Sequence, residues 1–221
     1  MIAPLSRLSA SLGYSFRRPE LLEEALTHRS ASPRNNERLE FLGDALLDLI
    51  IAEHLYQRFP KASEGELSRL RASLVNGETL AALARGLKLG DWLRLGQGEL
   101  KSGGFRRESI LSDAMEAIFG AVYLDGGLDA CRDLIVSVYR DCLAQPASAD
   151  ELKDPKTRLQ EHLQSRQQAL PVYNVLEIRG EPHAQNFTVE CVAADARAIA
   201  SGSSRRKAEQ EAARQLLDLL G

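Results

Sequence analysis

Residues Asn35 to Leu47 read NNERLEFLGDALL, and the rest of the chain is organised around this stretch. Glu37, Glu40 and Asp44 stand three and four positions apart, so at about 3.6 residues per turn they stack on one face of a helix. Leu39, Leu42, Leu46 and Leu49 recur at helical spacing on other faces, which predicts a partly buried helix. Gly43 in mid-helix costs roughly 1 kcal/mol relative to Ala, and its presence points to close approach of something to that backbone. An acidic stripe by itself is the usual dress of a solvated face. A second pair, Asp113 and Glu116, three apart in the helical run LSDAMEAIFGAVYL, favours a shared task.

Glu40 with Asp44, and Asp113 with Glu116, would repel one another if gathered in a partly dry site. A divalent cation removes that conflict. All-oxygen ligands suit Mg²⁺, with Mn²⁺ as a substitute, and no Cys or His stands at zinc spacing beside them. His54 lies ten residues past Asp44, about 15 Å along a helix, and reads as an ordinary surface or core histidine. A cation held there polarises a phosphate and lowers the pKa of water for in-line attack on a phosphodiester, and the sequence offers no convincing nucleophile triad.

The chain has 221 residues, with 28 basic and 31 acidic side chains and a formal charge of −3. A generally basic nucleic-acid binder is thereby excluded, and any polyanion must be met by a local patch. No apolar run approaches the roughly 18 residues of a membrane span, and Met1 to Gly13 lacks a signal-peptide core, so a cytoplasmic protein with no membrane partner is expected. Cys131, Cys142 and Cys191 are odd in number and widely spaced, as suits reduced thiols.

Residues 1–145 read as almost wholly helical. Pro19 opens one helix, Asn35 or Asn36 caps the acidic one, and Pro60 ends it. Ser63 and Glu66 form a capping box, Asn76 and Gly77 break the helix that follows, and Gly90 to Gly104 is a glycine-rich loop without Walker spacing. Gly126 and Gly127 separate the second acidic helix from a last one. Residues 146–153 are small and polar, as in a linker. From 154 to 221 the order is α-β-β-β-α, an α+β arrangement. Asp154 and Pro155 open its first helix. Val172, Leu176 and Ile178 are expected on one strand face, Phe187, Val189, Cys191 and Ala193 on another, and Ala208, Ala212, Leu216 and Leu219 form the stripe of the last helix. Ser203 or Ser204 caps that helix. Arg205, Arg206 and Lys207 in its first turn oppose the helix dipole, so the choice lies between a solvated basic run and an external anion such as phosphate.

The strings HRS at 28–30, NERLEFLGDALL at 36–47, GELKSGGFRRESILSDAMEAIFG at 98–120 and GSSRRKAEQEAA in the tail together resemble bacterial ribonuclease III over essentially the whole chain. The resemblance implies an all-α endonuclease domain over 1–145 and a small double-stranded RNA-binding domain over 154–221. It implies a homodimer that cuts duplex RNA with Mg²⁺. Its metal carboxylates fall on Glu40, Asp44, Asp113 and Glu116, with Asp44 and Glu116 read as catalytic. Glu37 matches an additional acidic position, and Glu64 one that reaches the partner's site. Thr157, Gln160, Glu161 and Gln164 would meet one minor groove of the duplex, Pro182 and His183 the next, and Arg205, Arg206 and Lys207 the phosphates between. Phe41 and Gly43 would lie at the two-fold interface, and two neighbouring sites would leave 5′-phosphates, 3′-hydroxyls and short 3′ overhangs. The implied tasks are the processing of ribosomal, transfer and messenger RNA precursors. An RNA-binding protein without cleavage and a helical phosphohydrolase for small substrates are the competing classes. The complete acidic pairs argue against the first, and the basic tail against the second.

Overall fold

The computed structural model describes residues 5–145, 153–181, 184–193 and 195–220. The chain forms two compact units, Met1–Ala149 and Asp150–Gly221. The first is helical: α1 (Leu5–Leu12), α2 (Pro19–Ala25), α3 (Glu37–Arg58), α4 (Glu64–Leu74), α5 (Gly77–Gly86), α6 (Gln97–Lys101), α7 (Glu108–Val138) and α8 (Arg140–Ala144).

Local chemistry sets these boundaries. Asn35 Oδ1 accepts from the Glu37 amide at the start of α3, a bond that the capping side chain of Asn36 does not make. Ser63 and Glu66 close the capping box of α4, and Asn76 caps α5 by accepting from Thr79 N. The glycine-rich loop holds more regular structure than its composition suggests, namely α6 and two 3₁₀ turns at Leu89–Asp91 and Gly104–Arg106. Gly127 adopts φ 84°, open to glycine at no steric cost, and kinks α7 there.

Helices α3 and α7 form the centre. Leu47, Ile50 and Ile51 of α3 and Ile118, Phe119 and Val122 of α7 are fully buried, together with Leu22 and Leu26 at α2 and Leu80 of α5. Each such side chain contributes about 1.5–3 kcal/mol on leaving water. Of the leucines expected to bury α3, Leu49 is instead more than half exposed. A buried carboxylate fastens the N-terminal segment to this pair: Asp125 of α7 accepts from Tyr14 Oη at 2.8 Å and from the Arg17 and Arg18 amides at 2.9 Å each.

The second unit packs α9 (Pro155–Ser165) and α10 (Arg205–Leu220) on one antiparallel sheet in the order β1 (Val172–Arg179), β2 (Asn186–Ala193), β3 (Ala196–Gly202). Asp154 caps α9 through the Thr157 amide, and Ser204 caps α10 through that of Lys207. Cys191 and Ala193 turn inward against Leu159, Leu163, Ala212 and Leu216, and Val189 on the same strand face is fully buried. The expected apolar face of β1 is corrected. A bulge between Val175 and Glu177 leaves Leu176 without a partner on β2, so Val172 pairs with outward-facing Val192 while Ile178 pairs with Phe187 on the inner side. All three are more than half exposed, and Tyr173 is the β1 residue that packs on the core. In the stripe of α10 Leu219 is likewise exposed, and Leu217 and Leu220 pack against the core beyond Leu216 in its place.

Candidate active site

The close approach that Gly43 permits is made within the chain. A Cβ at Gly43 would stand 1.8 Å from the Glu116 carbonyl oxygen, and one at Gly120 would stand 2.3 Å from that of Leu39. This reciprocal glycine contact brings the α3 and α7 backbones together one turn from the acidic residues of each. Gly43, expected at the subunit interface, is buried under α7 of its own chain. Phe41, two residues earlier, is 80% exposed.

The crossing delivers the carboxylates. Oxygens of Glu40, Asp113 and Glu116 come within 4.8 Å of one another. Asp44 stays exposed and outside this group of three, yet its charge reaches both Glu116 and Glu40. Burial and then the charges of Asp44, Glu40 and Asp113 push the Glu116 carboxyl up to about 8. Burial, followed by Asp113 and Glu37, raises Glu40, and burial raises Asp113 against the pull of its bond from Ser112 and of His28 and Arg29. Partly dry, all-oxygen and mutually repelling, this group fits a hard divalent cation, which would let every member ionise.

Glu37 sits on the rim, 3.4 Å from Arg29. Asp48, one turn beyond Asp44, lies 3.8 Å from Arg71 of α4, and its charge adds to those of Asp44, Glu40 and Asp113 in raising Glu116. Glu64 opens α4 and accepts from Ser68; it lines a groove with Leu49, Tyr56 and Leu67, away from the three gathered carboxylates.

Sequence reasoning did not single out the basic wall of the site. His28 N donates to the Arg94 carbonyl, and the Gly96 amide donates to Ser30 Oγ at 2.9 Å, which stitches the turn after α2 to the loop before α6. Arg107, ahead of α7, pairs with Glu99 at 2.8 Å. His28, Arg29 and Arg107 consequently line a 340 Å³ cleft together with Glu37, Glu40 and Asp113. No helical period links these residues, so spacing could not have assembled them. The HRS string was the available signal.

In the second unit Gln160, Glu161 and Gln164 are exposed on α9 and Thr157 is half-buried at its first turn, where its hydroxyl bonds Asp154. Glu161 pairs with Lys153. Pro182 and His183 lie outside the described residues, as do 146–152 of the expected linker. The basic run is corrected in one respect: Arg205 does have an intrahelical partner, with its Nε 2.8 Å from Glu209 one turn on. Arg206 and Lys207 are exposed and have no carboxylate partner among the described residues. No described helix is long and apolar enough to cross a membrane.

Comparison with known proteins agrees with this division. Residues 18–142 match the ribonuclease-III-like family and residues 155–220 match the double-stranded RNA binding motif. Ribonuclease 3 of Alkalilimnicola ehrlichii is 60% identical over 222 residues, covering 100% of this chain and 97% of that protein. Ribonuclease 3 of Vibrio cholerae is 55% identical, covering 100% of this chain and 99% of its own. Among solved structures, the nuclease domain of ribonuclease III from Campylobacter jejuni is 43% identical with a TM-score of 0.63, covering 66% of this chain and 99% of that one. A second structure of that domain, described for structural flexibility in a region involved in dimer formation, is 45% identical over 62% of this chain and 97% of its own, with a TM-score of 0.62.

Proposed function

The chain belongs to the ribonuclease III family of double-strand-specific endoribonucleases, and from that premise we propose that it hydrolyses duplex RNA at the α3–α7 crossing with Mg²⁺ held by Glu40, Asp44, Asp113 and Glu116. The observation that carries this reading is the convergence of Glu40, Asp113 and Glu116, with Glu116 pushed up to about 8. Their repulsion is stable only with protons or a cation between them. When bound, the cation supplies charge for the phosphate and a more acidic water.

The residues of the chain do the remaining work. Arg29 and Arg107, in the cleft beside the carboxylates, offset the like charge that a phosphodiester meets on approach. Asp44 and Glu116 orient the attacking water and hold the cluster in register. Attack by water, with the 2′-hydroxyl uninvolved, leaves 5′-phosphate and 3′-hydroxyl ends. Thr157, Gln160, Glu161 and Gln164 on α9 face one minor groove, Pro182 and His183 the next, and Arg205, Arg206 and Lys207 the phosphates.

A homodimer is part of the reading. Phe41, Leu49 and Tyr56 are exposed along α3 at 80%, 56% and 72%, an apolar stripe that a second copy would cover, with Glu64 on the flanking groove. Paired sites give short 3′ overhangs. The substrates are structured precursors of ribosomal and other RNA, in the cytoplasm.

The test is cleavage of long duplex RNA against single-stranded RNA of the same sequence, in Mg²⁺, in Mn²⁺ and in EDTA. Duplex-specific cutting in either ion and none in EDTA is expected, with 5′ ends that accept label only after phosphatase. Cyclic phosphate ends, or full activity in EDTA, would overturn it.

A further inference from the structure

One buried carboxylate ties together the two helix ends assigned to RNA contact. Glu209 of α10 is only 8% exposed. Its Oε2 accepts from Lys156 Nζ at 2.7 Å, and its Oε1 accepts from Arg205 Nε at 2.8 Å. Lys156 is the second residue of α9, and Arg205 is the first of α10. The Lys156 ammonium also stands 4.3 Å from the centre of the Tyr173 ring on β1, so the α9 end is fixed from two sides. Burial pushes the Glu209 carboxyl up, but the bonds from Lys156 and Arg205 outweigh it and hold the group below the usual carboxylate range. Arg205 uses its Nε for this bond, and no second carboxylate among the described residues pairs with its guanidinium.

We propose that Glu209 is a positioning residue for duplex selectivity: through Lys156 and Arg205 it fixes the spacing between the groove-facing start of α9 and the phosphate-facing start of α10. This rests on the RNA-contact reading of those two helices given above. An A-form duplex presents a wide, shallow minor groove at a set distance from its backbone phosphates, and B-form DNA presents a different one. A fixed spacing favours the first geometry, and a relaxed spacing accepts either. Charge alone predicts something else. Removing a negative group beside a basic patch strengthens attraction to every polyanion alike.

The experiment measures binding of the full-length protein, in EDTA, to duplex RNA of about 20 base pairs and to duplex DNA of the same sequence, at about 150 mM salt. For Glu209→Gln the expected result is RNA affinity down about tenfold and DNA affinity unchanged or higher, so the RNA:DNA ratio falls at least about tenfold. Glu209→Asp, which keeps the charge, should recover part of the ratio. Lys156→Met cuts the tie from the α9 side, leaves Arg205 paired, and should lower the ratio in the same direction. A ratio within about twofold of the parent for folded Glu209→Gln overturns the proposal, and so does the same result for Lys156→Met if Glu209→Gln fails to fold. Arg206→Ala with Lys207→Ala separates the two levels. If that double variant binds RNA as tightly as the parent, the contact reading itself fails. If it weakens binding while the Glu209 and Lys156 variants keep the ratio, the positioning role alone fails.

Discussion

Replacing Gly43 by Ala should damage fold and chemistry together. The added Cβ would stand 1.8 Å from the Glu116 carbonyl oxygen and 3.1 Å from Gly120 N, where ordinary contact begins at 3.4 Å, a shortfall of about 1.6 Å at the closer atom. Backbone lies on the other side, so no side chain can rotate away, and α3 and α7 must part. Overpacking of this kind costs at least about 3 kcal/mol, the upper end of the usual range. At roughly 2–4 °C per kcal/mol for a chain of this size, the melting temperature should drop about 6–12 °C. The same displacement moves Glu116, and an error near 1 Å in a reacting group costs on the order of 10²-fold in rate. Thermal unfolding followed by circular dichroism, with single-turnover cleavage of duplex RNA, reads both effects. Gly98→Ala is the control, since Gly98 lies inside α6 with nothing within 4 Å of an added Cβ, and it should gain about 0.5–1 kcal/mol. Gly43→Ala melting within about 2 °C of the parent and cutting within about threefold would refute the reasoning.

Three further outcomes are expected. Glu116 is raised from 4.5 to about 8, so in EDTA the folded protein binds more protons than the unfolded chain between those values, and stability present below pH 4.5 is lost as the pH rises through about 8. Melting in EDTA should fall over that range more steeply for the parent than for Glu116→Gln, and equal slopes contradict the assignment. Asp125 is a depressed carboxyl despite its burial, held down by the Arg17 and Arg18 amides and by Tyr14, so its stabilisation is present at neutral pH and lost as the pH falls through its folded value. Asp125→Ala strands those donors and should cost about 3–5 kcal/mol in chemical denaturation, and a loss under about 1 kcal/mol would deny its role as the N-terminal clasp. Arg206→Ala with Lys207→Ala should lower the slope of log affinity against log salt by about 2 in duplex RNA binding, and an unchanged slope removes the tail from the interface.

What was legible in the sequence was local. The capping box of Ser63 and Glu66, the Asp154 cap, the α-β-β-β-α order and the inward face of β2 follow from chemistry confined to a few neighbouring residues. The acidic residues of α3 and α7 were visible as separate pairs, and the glycine within each helix allows the crossing that joins Glu40 to Asp113 and Glu116. The rest depended on contacts between distant parts of the chain. Nothing near Gly43 in sequence says that its neighbour is Gly120. One unpaired residue at Leu176 turns the rest of β1 over, and no composition announces a bulge. The basic wall of the cleft needs the turn at His28 to meet Arg94 and Gly96, and the pairing of Arg205 with Glu209 matters because Lys156, 53 residues before Glu209, shares that carboxylate.

The most direct measurement is cleavage and binding of long duplex RNA by Glu116→Gln beside the parent, at limiting and at excess Mg²⁺. The substitution keeps the shape of a half-buried side chain at the α3–α7 crossing and removes one of the charges that repel there. Cutting should collapse at limiting Mg²⁺ while duplex binding in EDTA stays at least as tight, because binding rests on the second unit, and Mn²⁺ should restore part of the rate. A Glu116→Gln protein that cuts duplex RNA at the parent rate in limiting Mg²⁺ would contradict the account.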